Sequence, residues 1–168
     1  MHRIFAGLAI IASIFLITEA VLGFILPYNF ALLGYHILLG VFVAIFICLT
    51  HTAVMFHFIG SGKEIKEVVQ FLGGEPQVIK EIRIFKMRVF PGATFAMLFT
   101  IAAVVIGGGV HTGSIPTPVH TTLAIIAIAL NFFSFRIEYK ILKKNLELID
   151  LLMKRHDELT KKRGCANR

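Results

Sequence analysis

The sequence predicts an all-α membrane protein: a four-transmembrane-helix up-down bundle, with a long cytoplasmic C-terminal helix. Hydrophobic residues make up 57% of the 168-residue chain, and the mean hydropathy is +0.81. Both values exceed those of ordinary soluble domains. Crossing the hydrocarbon takes about 20 apolar residues. Four runs approach or exceed that length, at residues 4–26, 30–59, 91–109 and 118–135.

The positive charges indicate the orientation of these runs. Lys and Arg occur at Arg3, between Lys63 and Arg88, and from Arg136 to the end of the chain, and nowhere else. Basic residues concentrate in the cytoplasmic segments of membrane proteins. We therefore expect an N-in/C-in protein of the bacterial inner membrane. This topology, with contact to the lipid bilayer, accounts for the formal net charge of +7 without any nucleic acid partner.

The first two runs are expected to form a helical hairpin. Residues 4–26 are interrupted only by Thr18 and Glu19, and the uncharged turn Pro27–Asn29 leads into the second run. Glycine commonly lies just beyond a helix C-terminus. We therefore expect Gly60–Gly62 to end the second helix.

A cytoplasmic amphipathic loop is predicted over residues 60–90. Within it, residues 63–72 and 78–85 have the apolar spacing of short helices that lie in the membrane interface. Pro91 is expected in the first turn of the third helix, where its missing N–H costs nothing.

The fourth helix is expected to begin near Pro118 and to continue past Arg136 into water. The chain thus divides into a transmembrane domain, 1–135, and a basic extension with its tail, 136–168. The extension has an apolar stripe at helical spacing. The stripe consists of Leu142, Leu146, Ile149 and Met153. Its partner is the 60–90 loop, a second copy of the chain, or a redox partner subunit bound through residues 137–160.

Five ionisable side chains lie in or beside the outer and middle parts of the apolar runs. Such groups are costly inside a membrane and are candidates for function. At about 1.5 Å of rise per residue, four of them fall near one level toward the outer surface, and His51 lies deeper. The five are Glu19, His36, His51, His111 and His120.

His36 and His120 are candidate ligands of one haem b. Spans two and four lie diagonally across an up-down bundle, so both imidazoles can bind a haem iron from opposite sides. Glycines at the same level are expected to make room for the ring. These are Gly23, Gly40 and Gly107.

On these histidines and glycines, residues 4–135 resemble the small membrane cytochromes b. The resemblance is to the cytochrome b561 family and to the haem-bearing anchors of respiratory dehydrogenases. It implies electron transport between the quinone pool and a redox partner. The protein would then be an electron carrier or an accessory subunit rather than a stand-alone enzyme. Two-haem members need a second ligand pair. Here His51 would face Asn131 and Phe135, so one haem is expected.

Other interpretations remain open at this point. Glu19 is expected to accept a proton from a quinol or to hydrogen-bond His36, and His51 is a further candidate for proton or quinone contact. Glu138 is expected to form part of a charged boundary at the membrane surface. A cofactor-free accessory subunit of a larger membrane complex is the first alternative. A membrane metal-binding protein that uses His111 together with the outer cluster is the second.

Overall fold

Four long helices make up the computed structural model, which describes residues 2–166 and the side chains of residues 2–162. The last two residues of the predicted tail lie outside this range. The helices are α1 (His2–Ile25), α2 (Leu33–Phe71), α3 (Pro76–His111) and α4 (Thr117–Ala166). Short 3-10 segments, Leu26–Tyr28 and Phe30–Leu32, join α1 to α2. All four helices are long and apolar enough to cross a membrane, as predicted.

The predicted end of the second helix at Gly60–Gly62 is wrong, because α2 continues unbroken to Phe71. The small residues serve helix packing instead. A Cβ added at Gly62 would stand 3.3 Å from Cγ2 of Ile82 on α3 and 2.8 Å from Nζ of Lys86. Ser61 is buried and accepts a hydrogen bond from Nδ2 of Asn145 on α4 at 3.1 Å.

The third helix likewise begins earlier than expected. It starts at Pro76, which takes the first-turn position predicted for Pro91, whereas Pro91 lies inside the helix. Residues 60–90 are therefore the ends of two long helices, joined by a short turn. Gly73 and Gly74 make that turn with φ angles of 99° and 82°, in the left-handed region that favours glycine.

The fourth helix continues past Arg136 without a break, as predicted. Its apolar stripe packs on α2 and α3 of the same chain, the first of the three partners considered. Leu152 is the buried contact, whereas Met153, predicted for this role, is 45% exposed. The cluster around Leu152 comprises Ile65, Val69, Val78 and Ile82.

The buried face of α4 repeats every seven residues. Asn131, Glu138, Asn145 and Leu152 follow this spacing, and all four are buried. A seven-residue repeat keeps one face of a helix against its neighbours, as in coiled coils. Three of the four residues are polar, so the centre of the bundle contains polar groups that must find partners inside the protein.

Candidate functional site

Glu19, His36 and His120 come together from three different helices. Nδ1 of His36 on α2 lies 2.8 Å from Oε1 of Glu19 on α1. The imidazole of His36 also faces that of His120 on α4, with ring centroids 6.2 Å apart and ring planes at 80°. Three of the four side chains expected at one level therefore form a single cluster, which we call the outer cluster.

A backbone carbonyl holds the imidazole of His120. Nδ1 of His120 lies 3.0 Å from the carbonyl oxygen of Ala103 on α3. Since a carbonyl oxygen can only accept, Nδ1 carries the hydrogen and Nε2 keeps its lone pair. No hydrogen bond to Nε2 is found within residues 2–166. Histidines that bind metals are commonly held this way, through a hydrogen bond from the other ring nitrogen.

The contact between His36 and Glu19 is close but poorly aligned. Nδ1 and Oε1 are within ion-pair distance. The angle at which the N–H bond of Nδ1 would meet Oε1 does not satisfy the geometry of a hydrogen bond. Nδ1 of His36 and Oε2 of Glu19 are both buried without a hydrogen-bond partner. The two side chains are 18% and 17% exposed, so they lie at the edge of the bundle. A small rotation of either group would align the bond.

The three predicted glycines all contact this cluster. A Cβ at Gly23 would stand 3.2 Å from Cε1 of His36, and one at Gly107 would stand 3.0 Å from Cε1 of His120. A Cβ at Gly40 would lie 2.8 Å from Oε1 of Glu19. The glycines therefore make room for the two imidazoles and the carboxylate. We had predicted that they make room for a porphyrin ring.

The spacing of the two imidazoles suits a shared metal ion. Two imidazoles that bind one metal from opposite sides, at about 2.0–2.1 Å each, place their ring centres about 6 Å apart. The observed 6.2 Å is close to this value. The separation of the His36 and His120 rings is therefore compatible with axial ligation of a haem iron by two imidazole nitrogens.

His111 lies apart from this arrangement. It is exposed in the last turn of α3. Within residues 2–166, no group of three or more His, Cys, Asp or Glu side chains is placed to hold a metal ion. The structure therefore does not join His111 to the outer cluster, as the non-haem metal alternative expected.

His51 lies in a second, fully buried cluster, which we call the inner cluster. Its Nδ1 is 2.7 Å from Oε1 of Glu138, and its Nε2 is 3.1 Å from Oδ1 of Asn131. The ring of Phe135 stacks on the imidazole, with centroids 4.8 Å apart and planes at 17°. Asn131 and Phe135 thus face His51, as the sequence suggested. Both ring nitrogens are engaged, so neither is free for a quinone or a metal.

Glu138 is the functional candidate that the sequence analysis missed. The expectation of a charged boundary at the membrane surface is wrong for this residue: it is buried, whereas Arg136 and Tyr139 are exposed. Thr100 was missed as well, and it accepts a hydrogen bond from Nδ2 of Asn131 at 2.8 Å. The seven-residue spacing from Asn131 to Glu138 was the available signal.

Comparison with known proteins adds no further constraint. No protein-family model, no curated protein and no solved structure matches the chain. The likeness to membrane cytochromes b therefore stays a prediction based on the outer cluster.

Proposed function

We propose that the protein is an integral membrane electron carrier that binds one haem b, with His36 and His120 as axial ligands. One observation carries the proposal: two imidazoles from different helices face each other at 6.2 Å between ring centres. A haem at this position would accept and donate single electrons. The quinone pool and a redox partner protein are the proposed exchange partners.

The neighbouring groups have distinct roles in this proposal. The carbonyl of Ala103 fixes the tautomer and direction of His120, so that Nε2 can bind iron. The carboxylate of Glu19 makes His36 a more basic ligand and can accept a proton released by a quinol. Gly23 and Gly107 let the two rings lie close to the backbone of α1 and α3.

The orientation in the membrane belongs to the same proposal. We place both termini and the α2–α3 turn in the bacterial cytoplasm, because all Lys and Arg residues lie at that end of the molecule or in the extension. The outer cluster then lies near the opposite surface, and the bundle has the up-down topology of a four-helix protein.

Absorption spectroscopy of the purified protein tests the proposal. Protein from haem-supplemented cells is expected to show a Soret band, and His36→Ala and His120→Ala should each abolish it. His111→Ala is the matched control and should retain the band. A folded protein that is colourless after haem supplementation would contradict the proposal.

A cofactor-free accessory subunit is the second candidate. It is favoured by the extension of α2, α3 and α4 beyond the apolar segments, which presents a surface with more Lys and Arg than Asp and Glu to a partner. Co-purification of a colourless protein with a redox complex, lost when the extension is removed, would favour this candidate over the haem protein.

A further inference from the structure

The inner cluster contains a histidine–carboxylate pair enclosed by all four helices. His51 and Glu138 are both 0% exposed. Phe5 of α1 packs on Phe135, which covers the imidazole, and Thr100 of α3 supports Asn131. Because burial of a lone charge is costly, the pair is close to neutral as a whole in its resting state.

The hydrogen bonds of Asn131 determine where the protons are. Nδ2 of Asn131 lies 2.8 Å from the carbonyl oxygen of Ala127, which can only accept. This contact fixes the amide orientation, so Oδ1 is the atom that faces His51. Nε2 of His51 must therefore carry a hydrogen.

One proton must then lie between Nδ1 of His51 and Glu138. The two atoms are 2.7 Å apart, a distance that two facing lone pairs would not tolerate. The proton belongs either to an imidazolium beside a carboxylate or to a carboxylic acid beside a neutral imidazole. Both forms have no net charge, and they differ only in the position of this proton.

The same pair has a place for a second proton. Oε2 of Glu138 and Oγ of Ser134 are buried, and neither has a hydrogen-bond partner. The two residues are one helical turn apart on α4, the spacing at which side chains meet. Ser134 is held close to α3, since a Cβ at Gly92 would stand 3.2 Å from its Oγ. If the carboxyl group and the hydroxyl turn toward each other, Oγ of Ser134 can accept a hydrogen bond from a proton on Oε2.

No other ionisable side chain contacts the pair within the described part of the chain. On α4, Arg136, Tyr139 and Lys140 are exposed. Arg3 on α1 and Arg88 on α3 are exposed as well. Lys86 on α3 is half-buried, but its Nζ lies beside Gly62, 11 residues beyond His51 on α2. On α2 the pair's own His51 is the ionisable residue that faces Glu138. The protonation of the pair thus depends on its own groups and on Ser134.

We propose that His51, Glu138 and Ser134 form a proton-binding site, separate from the outer cluster. At rest the site holds one proton between Nδ1 of His51 and Oε1 of Glu138. In acid it takes a second proton from a hydronium ion: one O–H bond of the hydronium breaks and leaves water, one O–H bond forms on Oε2 of Glu138, and the net charge of the site rises by one. His51 lies 15 residues beyond His36 on α2, so the two sites are about 22 Å apart along the helix. The proposal does not depend on a haem.

Infrared difference spectroscopy of the full chain in lipid vesicles, titrated between pH 4 and pH 9, tests the site. We expect a carboxylic acid band of Glu138 that grows as the pH falls. It is identified as the difference between the wild type and Glu138→Gln, because exposed Asp and Glu side chains also protonate toward pH 4. Glu19→Gln is the matched control, because it removes the carboxylate of the other histidine pair, and it should retain the band. Ser134→Ala should shift the midpoint to lower pH, since the protonated Oε2 loses its acceptor.

Two results would overturn the proposal. One is a pH-dependent carboxyl band that is the same in the wild type and in Glu138→Gln. The other is a midpoint that Ser134→Ala leaves unshifted. Ser134→Ala deletes one hydroxyl that has no hydrogen bond, so this variant should fold even if Glu138→Gln does not. Its midpoint then decides the question alone.

Discussion

The imidazole of His120 rests directly on the backbone of Gly107, where an added Cβ would stand 3.0 Å from Cε1 and 3.2 Å from Nδ1. Both distances are shorter than ordinary van der Waals contact. The ring is also held by the hydrogen bond to Ala103, one turn before Gly107 on the same helix. His120 must therefore shift by a few tenths of an ångström if residue 107 has a side chain.

Gly107→Ala should accordingly displace His120 and weaken haem binding. Moving a side chain off its preferred rotamer costs about 0.5–1.5 kcal/mol, and the hydrogen bond to Ala103 would be lost as well. Together these effects correspond to roughly a tenfold loss of affinity or more. The measurement is the haem content per protein after purification.

Gly108→Ala is the control for this substitution. A Cβ at Gly108 has open space around it, so this variant should bind haem like the wild type. Equal haem contents in the two variants would contradict the prediction that Gly107 positions His120 for haem binding.

The sequence was sufficient to predict the four apolar helices and the level of the outer cluster. Apolar helices can be found from hydropathy without any knowledge of how they pack. The rise per residue of a helix then gives the depth of each residue in the membrane. Glu19, His36 and His120 meet because Glu19 lies toward the C-terminus of α1, and His36 and His120 lie near the N-termini of α2 and α4, at the same end of the bundle. The contact of Gly107 with His120, in contrast, depends on the rotation of α3 and α4, which apolar runs do not encode.

The errors arose where tertiary packing overrides local signals. Gly60–Gly62 has the composition of a helix end, but its lack of bulk is used for contact with α3 and α4. Glu138 follows Arg136 at the end of an apolar run, which is typical of a surface residue. Its partner His51 is far away in the sequence, so only the assembled bundle shows the pair.

Glu19→Gln should raise the midpoint potential of the bound haem. The carboxylate next to His36 stabilises the positive charge of the oxidised group, and the amide does so less well. A change of about 60 mV corresponds to a tenfold change in relative affinity for a one-electron couple, and we expect a shift of this order. A spectroelectrochemical titration measures it.

Thr18→Val provides the reference for this titration. Thr18 precedes Glu19, is exposed, and bonds only to the carbonyl of Ile14. Its substitution should leave the potential unchanged. A potential that falls, or is unchanged, in Glu19→Gln would show that the carboxylate does not act on the haem.

Leu152→Ala should destabilise the helical extension, whereas Met153→Ala should not. Leu152 is 2% exposed among apolar residues of α2 and α3, and Met153 is 45% exposed. Truncation of a buried leucine to alanine costs about 2–5 kcal/mol. Limited proteolysis of the two variants in detergent compares the opening of the extension. Equal cleavage rates would mean that this face of α4 does not pack within the chain.

Both termini and the α2–α3 turn should be accessible from one side of the membrane. Cysteines introduced at Gln77, after that turn, and at Thr112, after α3, test this in a background without Cys48 and Cys165. A membrane-impermeant thiol reagent added to intact cells should label position 112 and not position 77. Labelling of position 77 alone would mean that the orientation is inverted.

The pair formed by His51 and Glu138 should show strong coupling in a double-mutant cycle. His51→Leu leaves Glu138 buried without its partner, and Glu138→Leu does the same to His51. Each should cost roughly 3–5 kcal/mol, because one buried polar or charged group remains uncompensated. The double variant removes both groups and should be far less destabilised than the sum of the single variants.

The free energies of unfolding in detergent, measured by denaturant titration, complete the cycle. Tyr139→Leu is the control, since this exposed neighbour of Glu138 should have little effect. Additive costs would contradict the pairing, because two residues that do not share a proton or a hydrogen bond have no reason to compensate each other. A coupling energy of several kcal/mol would show that His51 and Glu138 stabilise the bundle only when both are present.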